Sequence, residues 1–300
     1  MPSFRAWAMM ALIRATGMKR KARDTARFPE YVAMMQARGP APPGRRRERR
    51  LRITRDEFAG LPVLTVAPRE NPGSHHILYL HGGAYVFDLL DVHWRAFDGL
   101  IDRTRATITI PLYPLAPRHG WEDAFAMLRP LHAALAARHG AENITVAGDS
   151  AGGGLTLALA QDLRDAGEPL PARLVLFSPW LDIATDDPGV LATEPRDPML
   201  ATPAAQLAGR WWARGLDLRD PRVSPLHGSL AGLPPTLVFT GTRDMLNADS
   251  RRLRDKAAGE GANLLFREYE GLFHVWMCLP IPEARQALDE TAAFITGPPA

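Results

Sequence analysis

The sequence Gly148-Asp149-Ser150-Ala151-Gly152 follows a short β-branched run, Ile144 to Ala147, and opens a stretch with helical apolar spacing that ends at 166. A G-x-S-x-G sequence between a strand and a helix forms a sharp turn that exposes its serine. This composition gives only about 0.05 such matches by chance. Side chains two residues either side of the serine would collide with the strand and the helix, so both positions need glycine. The pattern favours a nucleophilic serine over its alternative, a glycine-rich helix entry that binds an anion.

Strands and helices alternate around this turn. Predicted strands cover 76–80, 106–110, 144–147, 173–177, 236–240 and 264–268, after a hairpin at 51–58 and 61–66. Predicted helices cover 92–104, 121–138, 151–166, 246–259 and 282–296. This order is typical of βαβ crossovers, so we expect an α/β fold with a mostly parallel central sheet and helices on both faces.

One connection is too long for a simple crossover. Nearly sixty residues separate Ser178 from Leu233, and they include a helical stretch at 202–214. Loops of this length usually serve a function, often as a lid. We therefore predict an N-terminal helical cap segment at 1–45 and a main domain at 46–300, with a cap insertion at about 185–230.

Composition excludes several classes of protein. The chain has 300 residues, 46% of them hydrophobic, and one cysteine. A disulfide-stapled fold and a disordered chain are excluded, and no apolar run is long enough to span a membrane. The early run Ala6–Ile13 lies between two arginines and makes a poor signal peptide, which favours a cytoplasmic location. Cys278 has no basic partner in sequence, so we expect it to pack in the core.

Positive charge is concentrated near the N-terminus. Residues 1–55 hold fifteen arginines and lysines and three acids, although the whole chain carries only +3. The run Arg45-Arg46-Arg47-Glu48-Arg49-Arg50 is interpreted as a solvated arm, and no nucleic-acid motif accompanies it. From Phe4 to Gln36 we predict an amphipathic helix. Its apolar stripe contains Phe4, Trp7, Ala8, Ala11 and Ala15 and is rich in alanine, which favours packing on the cap insertion over a stable membrane anchor.

A second glycine-rich loop follows the strand at 76–80. It reads His81-Gly82-Gly83-Ala84-Tyr85. Closely approaching backbone N–H groups stabilise the oxyanion of acyl transfer, so the amides of Gly82, Gly83 and Ala151 are the predicted oxyanion hole. His81 is expected to hold the loop.

A serine nucleophile needs a base, which is oriented in turn by an acid. The partners on such a sheet follow in the order serine, acid, histidine. His274 lies just past the last strand and is the candidate base. Asp244 lies at the carboxyl end of the strand 236–240 and is the candidate acid, with Asp249, one turn into the next helix, in reserve.

These motifs together resemble the hormone-sensitive lipase family of α/β-hydrolase fold carboxylesterases. The resemblance rests on residues 81–85, 113–119, 148–153, 224–226 and 271–274, in the family's order. It implies a carboxylester hydrolase with Ser150, Asp244 and His274 as its triad, and a cap built from the N-terminal helices and the insertion. The chain departs from the family pattern at Ala84, Arg118 and Gly154, which bears on substrate preference.

We expect a small-molecule ester of small to medium acyl length as substrate. Tyr85, Trp211 and Trp212 are candidate substrate contacts, although the two tryptophans could equally pack between cap helices. No cofactor or metal is expected, since His75-His76 lacks a third ligand. The alternatives are an amidase or formamidase with the same triad, and a non-catalytic ligand-binding protein. A homodimer through the last strand, 264–268, is a further expectation.

Overall fold

An eight-stranded sheet forms the centre of the computed structural model, which describes residues 1–298. Its strands are β1 (Leu51–Phe58), β2 (Leu61–Pro68), β3 (His76–Leu80), β4 (Thr107–Pro111), β5 (Ile144–Asp149), β6 (Arg173–Phe177), β7 (Thr236–Gly241) and β8 (Leu264–Tyr269). The spatial order is β1-β2-β4-β3-β5-β6-β7-β8. β1 and β2 pair antiparallel, as does β2 with β4, and the remaining neighbours run parallel. The expected α/β class and mostly parallel sheet are confirmed.

Helices cover both faces of the sheet. They are α1 (Phe4–Ala15), α2 (Met18–Arg23), α3 (Phe28–Arg38), α4 (Arg45–Arg50), α5 (Asp91–Thr104), α6 (Trp121–His139), α7 (Ala151–Asp165), α8 (Pro188–Thr193), α9 (Thr202–Ala213), α10 (Asn247–Glu260) and α11 (Pro282–Thr296). The core on one face includes side chains of α6, α7, α9 and α10, and the core on the other includes those of α1, α5 and α11. Of the helices in residues 1–298, none combines the length and the apolar character that crossing a bilayer requires.

Parallel pairing places the carboxyl ends of β3, β5, β6 and β7 along one edge of the sheet. The register pairs Leu80 with Gly148, and Asp149 with Phe177. In open α/β sheets, ligands bind at the edge where the parallel strands end. The turns after β3, β5 and β7 carry the glycine-rich loop, Ser150 and Asp244, so the topology gathers all of them at this edge.

The N-terminal region departs from prediction in two ways. The expected helix at 4–36 is three helices, which separate at Gly17 (φ 67°) and again at residues 24–27. The prediction of which face of α1 is buried is also wrong. The buried side chains are Ala6, Met10 and Ile13, and the predicted stripe faces outward. α1 is apolar on two sides, so periodicity alone could not identify which side packs.

The basic run at 45–50 is a helix held by ion pairs, and its interpretation as a solvated arm is corrected. Arg47 Nε lies 2.6 Å from Asp98 Oδ2 on α5, and Arg50 pairs with Asp98 and Asp102. Two carboxylates one turn apart on α5 thus fix this helix against the main domain.

Candidate active site

Ser150 occupies a strained turn between β5 and α7. Its backbone lies at φ 54° and ψ −121°, a conformation that L residues rarely adopt. Its N–H donates to Phe177 O at 2.9 Å, and its carbonyl accepts from Trp180 N at 2.8 Å, which ties the turn to the β6 loop. A Cβ at Gly152 would overlap the backbone carbonyl of Leu80. The crowding expected at this glycine is confirmed.

Three side chains from three loops form a hydrogen-bonded chain at the sheet edge. His274 Nε2 lies 2.8 Å from Ser150 Oγ, and His274 Nδ1 lies 2.9 Å from Asp244 Oδ2. Asp244 is fully buried, His274 is nearly so, and Ser150 is partly exposed. A serine that meets solvent while its histidine and carboxylate stay buried suits a nucleophile with a base and an orienting acid.

The electrostatic setting makes His274 a stronger base. Burial lowers its pKa, but the Asp244 carboxylate, its hydrogen bond, and the more distant Asp197 and Asp149 outweigh that effect, so the net pKa is raised above the usual histidine value. The raised pKa lets the imidazole hold a proton taken from the serine hydroxyl.

The reserve acid, Asp249, lies away from this chain of side chains. It is buried in α10, where its Oδ1 pairs with Arg252 Nη1 at 2.8 Å. Burial and the nearby Asp182 raise its pKa to about 7. The structure therefore does not bring Asp249 to His274.

The glycine-rich loop needs one correction. Gly82 N–H donates to Asp149 Oδ1 at 3.0 Å, so it is not free to bind a substrate oxygen as predicted. The N–H groups of Gly83, Ala84 and Ala151 make no hydrogen bond within residues 1–298. Gly83 and Ala84 have φ values of 123° and 54°, which turn the loop sharply here. The unoccupied donors therefore lie one residue further along the loop.

Asp149 is a site residue that the sequence analysis missed. Its carboxylate also accepts from Tyr79 Oη at 2.9 Å and lies 3.3 Å from His93 Nε2. Burial raises the pKa of the Asp149 carboxyl, but His93, Tyr79 and the Gly82 amide together lower it by more than that. The net pKa is therefore lowered, and the group stays charged. The second position of G-x-S-x-G, which Asp149 occupies, accepts any residue, so no sequence signal marks this role.

His81 helps to hold the same loop in place. It is buried, its Nδ1 lies 2.8 Å from Gly82 O, and its ring stacks on Tyr113 at 4.5 Å. Tyr113 Oη donates to His81 O at 2.7 Å. These contacts suit the loop-holding role expected of His81.

Comparison with known proteins identifies the family. A family model for the alpha/beta hydrolase fold matches residues 77–278. An acetyl-hydrolase of Streptomyces hygroscopicus is 36% identical over 225 residues, which is 73% of this chain and 74% of that protein. An esterase of Acinetobacter venetianus is 34% identical over 228 residues, again 73% and 74%. The crystal structure of an esterase from the bacterial hormone-sensitive lipase family superposes with a TM-score of 0.84 at 26% identity, covering 98% of each chain. This chain belongs to the hormone-sensitive lipase family of α/β hydrolases.

Two of the predicted substrate contacts of this hydrolase are packed away from solvent. Tyr85 is 1% exposed and Trp212 is 0% exposed, and their rings stack at 4.1 Å with an interplanar angle of 3°. Neither presents surface to a substrate in this structure. Trp212 is packed, but against Tyr85 and Tyr113 and not between cap helices as the alternative interpretation expected.

Trp211 is partly exposed and lies on α9, in the connection between β6 and β7, where it meets the N-terminal segment. Its ring stacks on Phe28 of α3 at 5.9 Å, and Phe28 meets Phe87 edge-on at 6.1 Å. Phe87 N donates to Gly83 O at 2.8 Å, so this aromatic cluster adjoins the loop with the unoccupied amides.

Side chains of the N-terminal segment also donate hydrogen bonds to backbone carbonyls around the site. Gln36 Nε2 donates to Val86 O at 2.9 Å and to Ala116 O at 2.8 Å. Lys19 Nζ donates to Asp197 O at 2.8 Å, and Asp197 Oδ2 accepts from Met245 N at 2.9 Å, directly beside the acid of the hydrogen-bonded chain. Only the fold brings these residues together, so sequence reasoning had no signal for them.

In the part of the chain that the structure describes, no group of three or more His, Cys, Asp or Glu side chains is arranged so that it could hold a metal ion. Cys278 is buried, and burial together with Asp149 raises its thiol pKa well above the usual value. A neutral buried thiol suits the packing role expected of it.

Proposed function

We propose that Ser150, His274 and Asp244 are the catalytic triad of this serine carboxylesterase. The observation that carries the proposal is the continuous hydrogen-bonded chain, at 2.8 Å and 2.9 Å, from the serine hydroxyl to the buried carboxylate. His274 takes the hydroxyl proton as Ser150 attacks the ester carbonyl, and then protonates the departing alcohol. Water repeats the cycle on the acyl-enzyme and releases the acid.

The proposed oxyanion hole consists of the Gly83, Ala84 and Ala151 amides. The Ala151 N–H lies at the N-terminus of α7, where the helix dipole also favours negative charge. The charged Asp149 holds the Gly82 amide and so fixes the register of the loop. Donors that are already oriented before the reaction stabilise the developing oxyanion without reorganising.

We propose esters of small to medium acyl length as substrates. Acetyl-hydrolase and esterase relatives support this range. The aromatic cluster of Phe28, Phe87 and Trp211 supports it as well, since it places bulky side chains beside the glycine-rich loop.

A panel of p-nitrophenyl esters with increasing acyl length tests the function and the acyl range together. Matched anilides in the same assay separate an esterase from the amidase alternative, since only an amidase would turn over the anilides at a comparable rate. Labelling by a fluorophosphonate, followed by peptide mass analysis, should place the adduct on Ser150. Ester binding without hydrolysis would instead support a non-catalytic binding protein.

Several expectations beyond the active site stay predictions. Residues 1–45 and the insertion at about 185–230 are proposed to form one cap, supported by the Phe28–Trp211 stack. β8 is an edge strand, which leaves homodimerisation through 264–268 open to a sedimentation test. A cytoplasmic location is also still a prediction.

A further inference from the structure

The first helix is apolar on the side that faces away from the protein. Ala6, Met10 and Ile13 pack on the core. Phe4, Ala8, Ala11, Leu12 and Ala15 form an outward apolar ridge, in which Phe4 is 86% exposed and Leu12 61% exposed. A helix packed on a protein core normally carries polar residues on its opposite side, but α1 carries apolar ones there. Something outside the chain is therefore expected to cover this ridge.

Other exposed apolar side chains lie in the same part of the chain. Six of the nine exposed large apolar side chains in residues 1–298 fall within the first 34 residues, namely Met1, Phe4, Trp7, Leu12, Met18 and Met34. Scattered single apolar residues need no explanation, but Phe4, Ala8, Ala11 and Leu12 share one face of α1, and a continuous apolar face marks an interaction site.

Two basic grooves border the ridge. A groove of about 670 Å³ lies between α1, α4, α5 and α11 and is lined by Arg5, Arg45, Arg46, Arg95 and Arg285 among others. A second groove of about 350 Å³ is lined by Arg14, Lys19, Arg20 and Arg23. Arg5 and Arg14 project from opposite sides of the ridge on the α1 helical wheel. The ridge therefore has positive charge on both flanks.

We propose that this face docks reversibly on an anionic lipid surface, with the apolar ridge of α1 entering the lipid interface and the flanking arginines contacting lipid phosphates. The pairing of an apolar stripe with flanking cations is what interfacial helices use. The charge of residues 1–55, fifteen basic against three acidic, disfavours a symmetric dimer in which this face meets the same face of a second copy, because like charges repel. A nucleic acid would meet the arginines but would leave Phe4 and Leu12 uncovered.

The contacts of α1 place the docked surface close to the candidate active site. Pro2 packs on Gly271, in the loop that leads to His274. The Arg243 guanidinium, next to Asp244, lies 4.8 Å from the centre of the Trp7 ring. The helix that would dock therefore contacts, through Pro2 and Trp7, the loops that carry the acid and the base.

The alanine content of the ridge sets the strength of the docking. Only Phe4 and Leu12 are large, so the buried area is small and binding needs the cationic flanks as well. The proposal accordingly agrees with the expectation that the chain has no stable membrane anchor.

Flotation of the full-length Ser150→Ala protein with phosphatidylcholine vesicles, with and without phosphatidylglycerol, tests the proposal independently of catalysis. We expect binding only with phosphatidylglycerol, weakening as salt rises. The double variant Phe4→Ser/Leu12→Ser should bind at least about tenfold more weakly, and Arg5→Gln/Arg14→Gln should lose about tenfold as well. Matched controls, Leu191→Ser/Leu265→Ser and Arg138→Gln, should bind like the parent, since those exposed residues lie elsewhere.

Three results would overturn the proposal. One is the absence of binding to phosphatidylglycerol vesicles at low salt. Another is equal weakening by the ridge variant and by the leucine control. The third is a concentration-dependent mass by light scattering that the ridge variant abolishes, which would assign the ridge to a second copy. The ridge, arginine and control positions are all exposed, and thermal unfolding of each variant checks that a loss of binding is not a loss of fold.

Discussion

The Ser150 hydroxyl is the atom on which the proposed chemistry depends. Replacing it in Ser150→Ala should lower kcat by at least about 10³, because the oxyanion hole and substrate binding alone leave only a residual rate. Steady-state kinetics on a p-nitrophenyl ester measure the change, and thermal unfolding checks the fold. Retention of more than about a tenth of the parent rate would remove Ser150 from the mechanism.

Asp244 and Asp249 give opposite expectations for the same substitution. Asp244→Asn should lower kcat by about 10² to 10⁴, since the amide can no longer fix the His274 tautomer or stabilise its protonated form. Asp249→Asn should change kcat little, because Asp249 pairs with Arg252 and not with His274. Kinetics of the two variants under identical conditions decide between them, and a reversed order of effects would make Asp249 the acid.

Asp197 should tune the base without touching the substrate. The raised pKa of His274 means that activity falls when the pH drops below it, so the acid limb of kcat/KM should lie above the usual histidine value of about 6.5. Asp197 contributes to that rise, so Asp197→Asn should move the limb to lower pH. Asp165→Asn, an exposed control on α7, should leave the limb in place. A lower rate with an unmoved limb would make Asp197 purely structural.

The candidate triad is easier to predict from the sequence than the residues that surround it. Ser150 lies in a specific motif, and chain order narrows the choice to His274 and Asp244. Asp149 and Asp197 have no such signal, because their roles depend on which backbone amides the fold brings within reach. The proposed oxyanion donors lie one residue later than predicted for the same reason. The Gly82 N–H is already bonded to the carboxylate of Asp149, 67 positions away in the sequence.

At the level of elements, the contact of α9 with α3, in which Trp211 stacks on Phe28, leads to a prediction about acyl length. Trp211→Ala should open the aromatic cluster and raise the ratio of medium-chain to short-chain ester turnover. Trp121→Ala on α6 is a matched control, because that ring packs with Phe125 and Arg222 instead. The ester panel measures the ratio, and a parallel change in both chain classes would separate the cluster from acyl selection.

The strands of the sheet were predictable to within about two residues. Buried parallel strands are short runs of β-branched and apolar residues with turn residues at each end, and β3, β5 and β7 follow that pattern closely. The orientation of α1 was not predictable, because both of its faces are apolar and only the packing of the rest of the fold determines which one is buried.

At the scale of the whole molecule, the buried Asp249 should make folding stability depend on pH. Its folded pKa of about 7 exceeds the unfolded value of about 3.9, so the folded state binds more protons between the two, and stability falls as pH rises through that window. Asp249→Asn removes this loss. The variant's Tm relative to the parent should therefore be more favourable at about pH 8 than at about pH 5. A Tm difference between variant and parent that is the same at both pH values would contradict the raised pKa of Asp249.

The attachment of the first residues to the last helix also has a consequence for synthesis in the cell. Ser3 bonds to Glu283, 280 positions later, and Lys19 contacts residues near 195. At translation rates of about 5–20 residues per second, the N-terminal segment emerges from the ribosome roughly 15 to 60 seconds before its last partner exists. During that interval Ala6, Met10 and Ile13 are as exposed as Phe4 and Leu12. A nascent chain of this kind is a natural client for a chaperone that binds apolar, basic segments, and its yield should respond to chaperone supply.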